Sequence, residues 1–136
     1  MVYTAFEAAE LLKKEGIEAS VLNARFAKPL DEEAILALAK EAKLIFTLEE
    51  GALIGGFGSA VLELLQKESA ALPSSVKIKI LGIPDRFIEH GKRERLLDSL
   101  GLSATKVVQL VSETLSGKKG GTDQRKSDTA SFISIR

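Results

Sequence analysis

The run Leu44-Ile45-Phe46-Thr47-Leu48 constrains this chain more than any other stretch. A nearly continuous apolar run of that length is the pattern of a strand covered on both faces, and such strands belong to parallel sheets flanked by helices. The surrounding segments alternate accordingly. Ala5, Ala8, Ala9 and Leu12 share one helical face, so residues 2–15 read as a helix, with Gly16 at the left-handed closing position. Residues 17–24 read as a short strand through Val21 and Leu22, and Pro29 blocks its continuation. Asp31 is an N-cap for a helix over residues 32–42, with Glu32 and Glu33 in its first turn and Ile35, Leu38, Ala39 and Ala42 on its apolar face. The acidic pair Glu49-Glu50 ends the apolar strand. The glycine cluster then opens a helix carried by Val61, Leu64 and Leu65.

Pro73-Ser74-Ser75 is a turn, and Val76, Ile78 and Ile80 alternate with Lys77 and Lys79 as on an edge strand. Residues 93–100 form a helix closed by Gly101, and Ser103 caps a last helix striped by Val107, Val108, Val111 and Leu115. Alternation of this kind implies parallel strands joined by crossover helices. The expected fold class is α/β, a three-layer α/β/α arrangement around a mostly parallel sheet.

With 136 residues, 45% of them hydrophobic, the chain can build one core but not two. Lys+Arg and Asp+Glu both number 19, a balance that argues against binding driven by charge to nucleic acid or a membrane surface. There is no cysteine, so disulfides, thiolate zinc sites and cysteine nucleophiles are excluded, and His90 is the single histidine. No apolar run approaches the roughly 20 residues that span a bilayer, and no secretory signal pattern opens the chain. A cytoplasmic protein is the expectation.

Composition changes after Ser116. Residues 117–128 carry no apolar side chain, which predicts disorder. The stretch 131–135 is short and β-prone. Over residues 117–136, Lys118, Lys119, Arg125, Lys126 and Arg136 against Asp123 and Asp128 give the tail a charge of +3. The expected division is a domain over 1–115 and a disordered or unrelated tail over 116–136.

Four places could carry chemistry. Gly55-Gly56-Phe57-Gly58-Ser59 feeds a helix N-terminus, where free N–H groups and the dipole can hold phosphate. It lacks the dinucleotide spacing and the P-loop lysine, so a structural turn at Gly55, Gly56 and Gly58 is the favoured reading. Glu49 and Glu50 stand at the C-terminal end of a buried strand, where ligands of open α/β sheets bind. Adjacent residues of an extended chain point to opposite faces, so at most one can enter a given pocket. A salt bridge or a helix cap is favoured over acid–base work. The polar stretch 85–91 places His90 beside Asp85 and Glu89, but one imidazole without a second ligand motif is better read as part of a docked loop. Arg25, after the first strand, suits either a phosphate or a carboxylate across an interface.

In sequence order, Asn23-Ala24-Arg25-Phe26-Ala27-Lys28-Pro29-Leu30-Asp31, Thr47-Leu48-Glu49-Glu50, Gly55-Gly56-Phe57-Gly58-Ser59-Ala60-Val61 and Gly82-Ile83-Pro84-Asp85-Arg86-Phe87-Ile88-Glu89-His90-Gly91 resemble the C-terminal domain of the 1-deoxy-D-xylulose-5-phosphate synthase family. The Gly-Gly-Phe-Gly segment by itself resembles only the wider transketolase superfamily; residues 85–91 point to the synthases. The resemblance implies a transketolase C-terminal-like fold and a parent enzyme, active as a homodimer, that condenses pyruvate with glyceraldehyde 3-phosphate. In that family thiamine diphosphate and magnesium are held by the N-terminal and middle domains. It therefore implies no catalytic, cofactor or metal residue here, and a chain inactive alone. Arg25, Glu49, Glu50, Asp85, Arg86 and His90 would face the missing domains or a second subunit. The cytoplasm, or the plastid for a plant-type parent, is the implied location.

Alternative readings are the same domain of a transketolase or of a 2-oxoacid dehydrogenase β-type subunit, and a stand-alone module binding an anion or a protein. The family also places a central strand ahead of the first helix, between the strands matching 17–24 and 44–48. This sequence opens in that helix, so it reads as a fragment whose first strand is missing. The expectation is a marginal, aggregation-prone domain, with Phe132, Ile133 and Ile135 as a candidate donor of a replacement strand.

Overall fold

The computed structural model describes residues 1–73, 76–116 and 129–134. In chain order the elements are α1 (Val2–Lys14), β1 (Glu18–Asn23), α2 (Glu32–Glu41), β2 (Leu44–Ala52), α3 (Phe57–Lys67), β3 (Lys77–Ile83), α4 (Arg93–Ser99), α5 (Ala104–Ser116) and β4 (Thr129–Ser134). The four strands lie in the order β1-β4-β2-β3, every neighbouring pair parallel. Helices cover both faces, which makes the expected three layers.

Local signals act where the periodicity places them. The Asp31 side chain accepts from the Ala34 N–H at 3.1 Å and so caps α2. Gly16 closes α1 at φ +79°, a conformation only glycine adopts without penalty. Ser103 starts α5 through its backbone carbonyl, which accepts from the Val107 N–H at 3.0 Å, while its hydroxyl donates to Asp98 at 2.6 Å.

The strand β2 divides the core by parity. Leu44, Phe46 and Leu48 pack with Ala5, Ala8 and Leu12 of α1 and Val107, Val108 and Val111 of α5. Ile45 joins Ile35 and Ala39 of α2 and Phe57, Val61, Leu64 and Leu65 of α3 on the opposite face. Burial on both faces explains why this strand lacks alternation in sequence. β3 has one partner, β2, and its two lysines alternate with isoleucines as an edge position requires. β2 is longer than expected: Glu49-Glu50 does not end it, and the strand passes through an irregularity after Leu48 to reach Ala52 opposite Ile83. The glycine-rich backbone there tolerates the local bend.

Within the tail, the stretch read as β-prone is a strand: Thr129–Ser134 forms β4 between β1 and β2. It pairs from Glu18↔Thr129 to Asn23↔Ser134 on one side and from Leu44↔Ala130 to Leu48↔Ser134 on the other. Ala130 and Phe132 enter the α1/α5 core and Ile133 the α2/α3 core, and the Phe132 ring lies 5.9 Å from that of Phe46. The gap expected between β1 and β2 is thus filled by the chain's own tail, the repair that sequence reasoning discounted. The reason is energetic: an open slot would leave two rows of strand N–H and C=O groups unpaired inside the sheet, at about 1–3 kcal/mol for each buried group. The disorder expected for 117–128, the tail charges, Ile135 and the Ser74-Ser75 turn lie outside the described residues.

Candidate functional site

Parallel strands bring their C-terminal ends to one edge of the sheet, and the residues singled out in the sequence come from the segments that leave that edge. Arg25 follows β1, Glu49 and Glu50 lie near the end of β2, and Asp85, Arg86 and His90 follow β3.

Glu49 points inward and is 3% exposed. Its parity puts it on the α3 face, and its carboxylate meets the helix N-terminus. Oε2 accepts from the Phe57 N–H and Oε1 from the Gly58 N–H, both at 2.8 Å. A carboxylate there satisfies two amides that the first helical turn leaves unpaired and lies at the positive end of the helix dipole. The surrounding glycines make the room. A β-carbon at Gly56 would stand 2.0 Å from the Ala52 carbonyl oxygen and 2.5 Å from Glu49 Oε2; one at Gly58 would stand 2.3 Å from Ile80 Cγ2 and 2.5 Å from Thr47 Oγ1. Gly55 is different in kind, turning the chain at φ +72° with open space around it, and its N–H donates to Ser59 Oγ at 3.0 Å. The Thr47 hydroxyl, on the same face of β2, is buried with no hydrogen-bond partner among the described residues.

Of the two favoured readings of the pair, Glu49 takes the helix cap and Glu50 the salt bridge. What differs from expectation is burial: Glu49 is not a surface residue of this chain, because inward parity and the glycine-lined space leave its carboxylate facing backbone amides. The same contact occupies the helix N-terminus at which a phosphate would bind, so the anion-binding alternative loses its site.

Glu50 points the other way, as a neighbouring position on a strand must. Its carboxylate pairs with Arg93 at the start of α4, accepting at Oε1 from Nε at 2.9 Å and at Oε2 from Nη2. The hydrogen bond from Arg93 is the main reason the Glu50 carboxyl is held below the ordinary carboxylate range, and the pairing raises Arg93 in turn. Arg93 carries no signal in the strand-end motifs, and sequence reasoning missed it; proximity to Glu50 depends on how α4 folds back over 43 residues of chain.

Arg25, Asp85, Arg86 and His90 are exposed. Arg25 sits at φ +58°, a left-handed conformation that costs a non-glycine residue about 1–2 kcal/mol. Beside these polar groups stand large apolar side chains left in water: Phe26 at 66%, Ile54 at 72% and Phe87 at 95% exposure. One follows each of β1, β2 and β3. Sequence reasoning did not single these out, although their position just beyond strand ends was the available signal. Phe26, Ile54 and Phe87, like the exposed Arg25, Arg86 and His90, thus lie in the segments that leave the C-terminal ends of the strands.

Among the described residues no group of three or more His, Asp or Glu is arranged to hold a metal ion. No helix there is long and apolar enough to cross a membrane.

Comparison with known proteins agrees with this architecture. Residues 1–107 match the family described as the transketolase C-terminal domain. The chain is 49% identical over 119 residues to a 1-deoxy-D-xylulose-5-phosphate synthase of Pelotomaculum thermopropionicum, covering 88% of this chain and 18% of that protein. It is 46% identical over 125 residues to the synthase of Thermosynechococcus vestitus, covering 92% of this chain and again 18% of the relative. The chain therefore spans less than a fifth of the length of these curated relatives. A solved structure, an inactive beta4 tetramer of a split-gene transketolase, is similar with a TM-score of 0.74 at 36% identity, over 87% of this chain and 37% of that one.

Proposed function

Because the chain belongs to the transketolase C-terminal domain family, we propose that it is the C-terminal domain of a 1-deoxy-D-xylulose-5-phosphate synthase and serves domain packing and dimerisation. The parent reaction joins pyruvate to glyceraldehyde 3-phosphate with loss of carbon dioxide, a transferase step in isoprenoid (terpenoid) precursor synthesis, in the cytoplasm or a plastid. Thiamine diphosphate and magnesium would be held by the N-terminal and middle domains. Among the described residues neither group meets a matching set of donors: the Phe57 and Gly58 amides are taken by Glu49, and no three His, Asp or Glu side chains converge.

The observation that carries the reading is the strand-end edge, where Phe26, Ile54 and Phe87 are exposed together with Arg25, Asp85, Arg86 and His90. Apolar side chains left in water at three successive loops are stabilised by burial against another domain. The partly exposed Glu50–Arg93 pair links the end of β2 to the start of α4 beside this edge.

The test is a chimera: the first two domains of the Pelotomaculum synthase joined to this chain, supplied with thiamine diphosphate, magnesium and both substrates. Product formation by a dimeric chimera is the expected result. Replacing Phe87 with Ser is expected to lower product formation and dimer yield while leaving the urea midpoint of the separate chain unchanged. A soluble, folded chimera that neither dimerises nor turns over would overturn the reading.

A further inference from the structure

The slot between β1 and β2 is a strand-receiving site whose occupant comes from the last part of the sequence, twelve residues after the final helix. The strand β4 contributes Ala130, Phe132 and Ile133 to the two cores and is paired along both sides. The preceding element, α5, ends at Ser116, and the twelve residues between Ser116 and Thr129 bring no apolar side chain to bury. Every residue that walls the slot precedes β4 in the chain: β1 and β2 are connected through α2, and the helices on both faces end by Ser116.

From these relationships we propose that the slot takes β4 of a second copy of this chain, so that two copies exchange strands reciprocally. Every pairing, from Glu18↔Thr129 to Leu48↔Ser134, and every core contact of β4 is the same whichever copy supplies the strand. Exchange therefore changes no contact energy inside the sheet. What differs is the local concentration of the strand, which a short connection sets at about a millimolar. Below that chain concentration a copy's own β4 wins; as it is approached, the neighbour's competes, the usual basis of strand and domain swapping. This inference rests on the β4 register and on the length of the connection before it, and is independent of the docking role of the strand-end edge.

The absence of cysteine makes the test direct. Ser20 of β1 lies opposite Ser131 of β4, and both accept a cysteine of nearly the same size. Two variants, Ser20→Cys and Ser131→Cys, the second carrying a mass tag, are unfolded, mixed, refolded together over a range of concentrations and oxidised. A mixed disulfide dimer is expected, its fraction rising about tenfold for each tenfold rise in chain concentration below the millimolar range. The double variant, refolded dilute, is expected to close the same bond within one chain. Intrachain closure in the double variant with no mixed dimer at any concentration would overturn the proposal, as would failure of the intrachain bond in a folded double variant.

The unsubstituted chain, refolded at high concentration, provides a second measurement. Light scattering is expected to find a dimer that persists on dilution until the chain is unfolded again. An unsubstituted chain that stays monomeric, or whose dimer dissolves at once on dilution, counts against exchange. A dimer of the unsubstituted chain, with no mixed disulfide between the Ser20→Cys and Ser131→Cys variants under the same refolding conditions, overturns strand exchange while leaving association through the strand-end edge intact.

Discussion

The backbone at Gly56 approaches the carboxylate of Glu49 so closely that a β-carbon there would stand 2.5 Å from Oε2. The same β-carbon would meet the Ala52 carbonyl oxygen at 2.0 Å, a backbone atom that cannot swing away. Gly56→Ala is therefore expected to displace the start of α3 and destabilise the domain by about 3 kcal/mol or more. A urea titration checks it. Gly55→Ala offers a contrast, since that position has open space but φ +72°; its cost is expected to be about 1–2 kcal/mol, from backbone conformation alone.

Glu49→Gln keeps the shape of the side chain but turns an amide N–H₂ toward a backbone N–H. One of the two 2.8 Å contacts must be lost. The expected loss is about 1–3 kcal/mol, the range for a buried donor left unpaired. Glu49→Ala, which strands both the Phe57 and Gly58 amides, is expected to cost more. Both are read as shifts in urea midpoint, and a Glu49→Gln midpoint equal to that of the parent would remove the capping role.

The Glu50–Arg93 pair gives a pH dependence whose sign is set by the lowered Glu50 carboxyl. A group whose native pKa lies below its unfolded value adds stability that is complete above the ordinary carboxylate value of 4.5 and fades as the pH falls from there through the lowered native value. Both side chains are partly in water, 34% and 63% exposed, so the effect is small and screened by salt. Glu50→Gln is expected to lower the urea midpoint slightly at neutral pH and not at all once the pH is below the native value. Raising the salt concentration at neutral pH is expected to shrink the difference.

Phe132 is wholly buried in the α1/α5 core, and Phe132→Ala is expected to cost about 3–5 kcal/mol. Truncation after Ser116 removes the strand altogether. The expected outcome is loss of a cooperative urea transition, because β1 and β2 then face each other across an empty slot. A truncated chain with the parent's midpoint would show that the sheet closes without β4.

Much of this molecule was legible along the chain. The helix faces, the Asp31 cap, the glycine at position 16 and the two-sided burial of Leu44–Leu48 follow from spacing and residue type, which act within a few residues. The opposite fates of Glu49 and Glu50 also follow from parity along a strand, once β2 is extended past Leu48. The family resemblance likewise rests on contiguous segments whose order and spacing can be read directly.

Only the tertiary structure decided where the tail goes and what Glu49 does. The pattern at 129–134 says β-strand but carries no address, since the groups that order it belong to β1 and β2, more than 80 residues earlier in the chain. Which face of β2 would meet the glycine turn, and that Arg93 would return to Glu50, depend likewise on how separated elements pack. Hydrophobic period and capping are local preferences and are written locally. Strand order and the pairing of a buried charge are settled by which distant backbone groups would otherwise go unsatisfied.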